Sequence, residues 1–260
     1  MILAILLFRI REVNLMSYKK STHTELLEYS KTHPVQQCIK VARVMLESAI
    51  YEDNMVFTTH VHGEICETIL EIIVNDYCRN NPEITKDWYC SKGLIIKDIN
   101  NPNSGYFTEL DYTVFTPQKI YAFECKSYGG DKKIADICTI KKKRGGSFDV
   151  YKQHYRHAEV LSAQLKAFRK RASLSLPGYQ LALFNFSTGK TDDIRKNTSK
   201  LLMPCLDETN VTNIFKVYND GPIIWTMETL TKAIKIVESH QERNAKKHLK
   251  YVMGLEHRKK

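Results

Sequence analysis

Three side chains in the middle of the chain have the types and spacing of a cation site. Asp111 is followed after twelve intervening residues by Glu124, and Lys126 stands two positions further on. Between them Thr116-Pro117-Gln118-Lys119 reads as a turn. The flanking runs Tyr106–Phe115 and Ile120–Tyr128 carry the β-branched and aromatic residues of strands. A hairpin turning there sets Asp111 opposite Glu124 and Glu109 opposite Lys126. Opposite residues share a face and side chains alternate, so the four charged groups project together. Leu110, Tyr112, Val114, Tyr121, Phe123 and Cys125 then form a core surface on the other face. A solvated sheet face accounts for a Glu109–Lys126 pair. It does not account for Asp111 against Glu124, because like charges directly opposite are destabilising unless neutralised. A divalent cation is the simplest neutraliser, and magnesium binds one or two carboxylates with water and phosphate completing its shell.

Such a hairpin needs helices to position it. Thr22 to Glu52 reads as helical with a break at His33-Pro34, and Cys38, Val41, Met45 and Ala49 recur at helical spacing. Asp53 to His60 reads as a linker or short strand. Gly63 to Tyr77 is an amphipathic helix with Glu64, Glu67 and Glu71 on more polar faces, stopped by Asn80-Asn81-Pro82. Asn100–Gly105 is a loop, and a basic loop spans Lys141-Lys142-Lys143-Arg144-Gly145-Gly146. Tyr151 to Arg171 is a helix with His154, His157 or Ala158, Leu161, Leu165 and Phe168 along one side. Tyr179 to Phe186 is a third apolar strand. Val211 to Tyr218 and Pro222 to Trp225 read as strands, and Met227 to Met253 as a long basic helix.

The 260 residues carry 39 Lys and Arg against 29 Asp and Glu, a net charge of +10. That excess favours polyanionic partners, since each neutralised phosphate releases counterions. The 43% apolar fraction is that of a globular chain. Seven scattered cysteines with no CxxC pair argue against a disulfide framework, a zinc ribbon or an iron–sulfur cluster, and suit a reducing cytoplasm. The apolar run Met1–Phe8 falls well short of the ~20 residues that span a bilayer, so no membrane partner is expected. It either docks on the core or precedes a native start at Met16. The expected organisation is an N-terminal helical extension over 1–52, a core over 53–200 and a C-terminal extension over 201–260.

Thr108-Glu109-Leu110-Asp111-Tyr112, then Phe123-Glu124-Cys125-Lys126-Ser127-Tyr128-Gly129-Gly130, resembles the PD-(D/E)XK nuclease superfamily and its NERD, or nuclease-related, branch. His62-Gly63-Glu64 before the hairpin resembles the family's helical Glu. Tyr151-Lys152-Gln153, His157 and Leu161 resemble its Gln-and-His helix. The likeness runs from Val61 to Phe186. The family's motif Pro is absent, and the segment between Lys126 and Gln153 is long and basic.

This resemblance implies an α/β fold of restriction-endonuclease type, a mixed sheet flanked by helices. It implies Mg²⁺- or Mn²⁺-dependent phosphodiester hydrolysis, most often in DNA. By this likeness Asp111, Glu124 and the Cys125 carbonyl hold the metal, and Glu64 completes the shell directly or through water. Lys126 orients the attacking water and offsets charge on phosphorus. Glu109 is an alternative ligand, Gln153 and His157 are supporting candidates, and Lys141, Lys142, Lys143 and Arg144 meet phosphates. A non-catalytic nucleic-acid-binding module on the same fold and an RNA nuclease remain open, and a homodimer is compatible with cutting both strands.

Overall fold

The computed structural model describes residues 15–49, 55–99, 107–143, 145–169, 178–195, 202–217, 223, 225–239 and 241. Its elements in chain order are α1 (Leu15–Ser30), α2 (Val35–Ala49), α3 (Met55–Asn80), α4 (Pro82–Thr85), β1 (Tyr89–Lys97), β2 (Phe107–Phe115), β3 (Lys119–Lys126), β4 (Lys132–Ala135), β5 (Thr139–Lys142), β6 (Ser147–Asp149), α5 (Val150–Arg169), β7 (Gly178–Asn185), β8 (Thr191–Asp193), β9 (Cys205–Leu206), α6 (Asn213–Val217) and α7 (Met227–Glu238).

Five strands form the central sheet in the order β1-β2-β3-β7-β9. The first three are antiparallel, while β7 runs parallel to both β3 and β9, so the sheet is mixed. Apolar residues on both faces of β2 and β3 require cover on both sides. On one side α1, α2, α3 and α6 bury Leu26, Leu46, Ile65, Ile69 and Phe215 against Tyr112, Val114, Tyr121 and Phe123. On the other, α5 and α7 bury Leu161, Leu165, Leu230 and Ile234 against Leu94, Ile120 and Ala122. A central mixed sheet between helical layers is compatible with the expected restriction-endonuclease-like fold.

The hairpin has the expected register. Tyr112 pairs with Phe123 and Phe115 with Ile120, and the Thr116 amide closes the turn on the Lys119 carbonyl at 2.9 Å. One core position differs. Leu110 joins the α5-side cluster rather than that of Tyr112. The cause lies in the neighbouring strand, where Gly93 has φ +61° between Lys92 and Leu94, the partners of Tyr112 and Leu110. Glycine adopts this conformation without a Cβ clash. The alternation changes there, and Lys92 faces α3 while Leu94 faces α5.

Three other expectations are corrected. Residues 55–60 are helical, so α3 begins two turns before Gly63; Val56, Phe57 and Thr58 favour a strand locally, but the long helix overrides that preference. Lys141 and Lys142 are strand residues rather than loop: β6-β5-β4-β8 form a small second sheet, anchored by Ile134, Cys138, Ile140 and Val150 against Leu183 and Met203. Asn213–Val217 is helical, with Ile214 and Phe215 buried as neighbours on one turn. The C-terminal helix is described to Glu238, with the Thr226 hydroxyl capping its N-terminus through the Thr229 amide. The expected loop at Asn100–Gly105, Arg144, and the chain beyond Gln241 lie outside the described residues.

Candidate functional site

Where β2 and β3 diverge beyond the Tyr112–Phe123 pair, a side chain replaces the next ladder bond. The Cys125 amide donates to Asp111 Oδ2 at 2.7 Å. This fixes the Asp111 carboxylate beside β3 and next to Glu124. Glu124 is 1% exposed, and its Oε1 receives Lys126 Nζ at 2.5 Å. Lys126 thus pairs with Glu124, two residues away on its own strand, whereas the hairpin register alone had matched it with Glu109 across the strands. The Lys126 ammonium also lies 5.6 Å from the centre of the Phe148 ring, on the small sheet.

The electrostatics of the two carboxylates diverge. Burial, and then the Glu124 charge, push the Asp111 carboxyl well above the ordinary range. Burial, the largest effect, would raise Glu124 too, but the Lys126 ammonium together with His154 and His157 outweighs it and holds Glu124 well below that range. Lys126 is raised in turn: burial opposes its charge, and Glu124 and Asp111 more than compensate.

α3 delivers further carboxylates to the same region. Glu64 lies in the middle of α3, not at its start, so the helix dipole gives no reason for it. It is ion-paired with Lys92 of β1, and His23 Nδ1 of α1 stands 3.6 Å from it. Glu67, one turn on, is 3.8 Å from Lys92 Nζ. Burial, and then the charge of Asp111, raise the Glu67 carboxyl well above the ordinary range. Glu67 is therefore an α3 acid that feels the charge of Asp111. The sequence contained one signal for it: Glu64, Glu67 and Glu71 stand at helical spacing and mark one face of α3.

α5 approaches Glu124 from the opposite layer. His154 and His157, one turn apart, each place Nδ1 at 3.4 Å from Glu124 Oε2. His154 is fully buried and His157 nearly so. These three atoms, and Oε1 of Gln153, are buried with no hydrogen-bond partner. Helical spacing alone puts His154 on the buried side of α5 but does not assign it to the site.

The lysines of the small sheet gather elsewhere. Lys132, Lys133, Lys141, Lys142, Lys143 and Lys190 line a cavity of about 400 Å³ with only Asp131 and Asp192 opposing them. Lys143 pairs with Asp131 at 3.2 Å, and Lys142 lies over the Tyr128 ring at 4.2 Å. Tyr128 follows Lys126 by two residues, so this basic surface adjoins the end of β3.

Among the described residues no helix is long and apolar enough to cross a membrane. Comparison with curated proteins and with solved structures found no match. Residues 68–184 match the family model described as the nuclease-related domain, NERD. That stretch begins inside α3, spans both strands of the hairpin and α5, and ends in β7, so it encloses Asp111, Glu124, Lys126, Gln153 and His157. This match over residues 68–184 is consistent with a NERD-like branch of the PD-(D/E)XK nucleases.

Proposed function

We propose that the protein is a divalent-metal-dependent nuclease that hydrolyses phosphodiester bonds, with DNA as substrate and internal cleavage as its mode. The observation that carries this reading is the charge imbalance at the end of the hairpin. Asp111 feels Glu124, and Glu67 feels Asp111: burial first, and then the neighbouring carboxylate, raises the Asp111 and Glu67 carboxyls well above their ordinary range. A divalent cation fits that need, since it neutralises adjacent carboxylates through hard oxygen ligands. Mg²⁺ or Mn²⁺ is the class of ion expected.

Asp111 and Glu124 would hold the cation, with the Cys125 carbonyl beside them. Glu67 would join them from α3, and Glu64, engaged by Lys92, would complete the shell through water. Bound there, the cation lowers the pKa of a water molecule and offsets phosphate charge. Lys126 stays charged, and its ammonium would orient the attacking water and stabilise negative charge growing on the phosphoryl oxygens. Glu109 and Gln153 flank this constellation as supporting candidates. The lysine-lined cavity would take the nucleic-acid backbone, for which positive charge rather than base contact is sufficient.

Purified protein should nick or linearise plasmid DNA with Mg²⁺ or Mn²⁺ and not with EDTA. Cleavage of RNA alone would change the substrate. Salt-sensitive DNA binding without cleavage under any metal would leave a binding module on this fold.

A further inference from the structure

We propose that Glu124 Oε2, His154 Nδ1 and His157 Nδ1 form a second cation site, sharing only the Glu124 carboxylate with the first, one that selects a transition metal of the zinc, cobalt or ferrous class rather than magnesium. The site lies between β3 and α5, on the side of Glu124 away from Lys126. It goes beyond the hydrolytic reading, because it needs no substrate and no hydrolysis.

The tautomer of His154 makes the first argument. Its Nε2 lies 2.8 Å from the Ala122 carbonyl, which only accepts, so Nε2 carries the proton. The neutral ring then aims the Nδ1 lone pair at Glu124 Oε2, which also has only lone pairs. With the ring neutral, two acceptors 3.4 Å apart in a dry interior repel unless a cation lies between them; a second proton, on Nδ1, is the competing way to join them. A histidine that gives one N–H to a backbone carbonyl and offers the other nitrogen is the usual arrangement of a metal-bound imidazole.

The spacing makes the second argument. Both Nδ1 atoms lie 3.4 Å from Oε2, and the three atoms fall within 4.8 Å of one another. Bonds of roughly 2.0–2.1 Å in a tetrahedral shell give ligand-to-ligand edges of about 3.3 Å. The rings stand nearly perpendicular, at 87°, so the two nitrogens converge without stacking. The orphaned state of all three atoms makes the third argument, since buried polar atoms are normally satisfied. Two imidazoles and one carboxylate are a borderline donor set, suited to zinc, cobalt or ferrous iron, whereas magnesium prefers oxygen. Such an ion would clamp α5 to β3 and fix the orientation of Glu124.

The test is Co²⁺ and Zn²⁺ titration of metal-stripped full-length protein, read by visible absorption and by X-ray absorption at the metal edge. The expected result is one equivalent of ion with the visible bands of tetrahedral cobalt and a shell of two imidazole nitrogens plus oxygen. His157→Asn and His154→Asn should each weaken binding beyond the roughly 10–100-fold that loss of an outer-shell partner costs. Asp111→Asn should leave this binding intact while abolishing any Mg²⁺-dependent cleavage, which separates the two sites. The X-ray absorption reading needs no variant, so it stands even where a histidine substitution impairs folding. A sulfur shell from the cysteines, or failure to bind either ion, overturns the proposal; in the second case His154 and His157 hold Glu124 as imidazolium partners. Binding of this kind in a protein that cleaves nothing would keep the second site and remove the nuclease reading.

Discussion

Asp111 is the residue on which the site turns. Its carboxyl is raised by burial and by Glu124, and Glu67 is raised by burial and by Asp111. A carboxyl whose folded pKa lies above its unfolded value binds protons more tightly in the native state. In the metal-free protein its contribution to stability is therefore full below about pH 4, and it is lost as pH rises through the raised folded values. Metal-free protein should thus lose stability from the ordinary carboxylate range upward, and added Mg²⁺ should restore it. Asp111→Asn removes the charge but keeps an oxygen for the Cys125 amide. It should stabilise metal-free protein at neutral pH, where the ionised Asp111 carboxylate is disfavoured by burial and by Glu124. Denaturant midpoints with and without EDTA check the sign. Much of this residue chemistry was legible in sequence, because a hairpin of known turn fixes which side chains face each other. The part that was not legible depends on tertiary approach. Glu67 and His154 act through the distance of α3 and α5 from β3, which no spacing within either helix specifies.

The elements decide how these residues meet. The β2–β3 register follows from the Thr116–Lys119 turn and from the apolar alternation, and both were visible in the chain. Leu110 departed because a glycine on another strand changed the alternation locally, and a non-local cause leaves no trace in β2 itself. The second sheet was hidden for a different reason. Its strands are three or four residues long and rich in lysine, a composition that local propensity assigns to loops. Its attachment depends on a close approach: a Cβ built on Gly189 would lie 2.1 Å from the Gly130 backbone carbon. Gly189→Ala should therefore destabilise the protein by about 1–3 kcal/mol, the usual cost of forced overpacking, as read by urea unfolding. If the small sheet guides nucleic acid, Lys141→Ala with Lys142→Ala and Lys143→Ala should weaken DNA binding across all sequences. The slope of log affinity against log salt should fall by about 0.9 for each duplex phosphate that the variant no longer neutralises. An unchanged slope would place the DNA elsewhere.

At the scale of the whole molecule, the nuclease-related segment covers neither all the helices on the α3 side of the sheet nor α7 on the other. Leu26 of α1 and Leu46 of α2 are buried in the same cluster as Ile65, Tyr112 and Phe123, and His23 meets Thr68 and Lys92 beside the acidic face of α3. The described part of the N-terminal extension, residues 15–49, is best treated as part of the folding unit. Deleting it would uncover the α1- and α2-facing side of α3, and the truncated chain should lose cooperative thermal unfolding, as followed by circular dichroism. A retained sharp transition would make the extension an independent appendage. The sandwich of helices around a mixed sheet was legible because long amphipathic helices and strongly apolar strands alternate along the chain. The contribution of α6 was not, because Ile214 and Phe215 read equally well as a strand.

The most direct test of the hairpin as a catalytic centre compares single-turnover cleavage of plasmid DNA by wild type, Asp111→Ala and Lys126→Ala under Mn²⁺ and Mg²⁺, with circular dichroism confirming that each is folded. Wild type should cut only with metal, Lys126→Ala should be slower by roughly 10²–10⁴-fold, the usual contribution of a positioned proton-transfer group, and Asp111→Ala should show no cleavage. Undiminished cleavage by either folded variant would contradict that assignment.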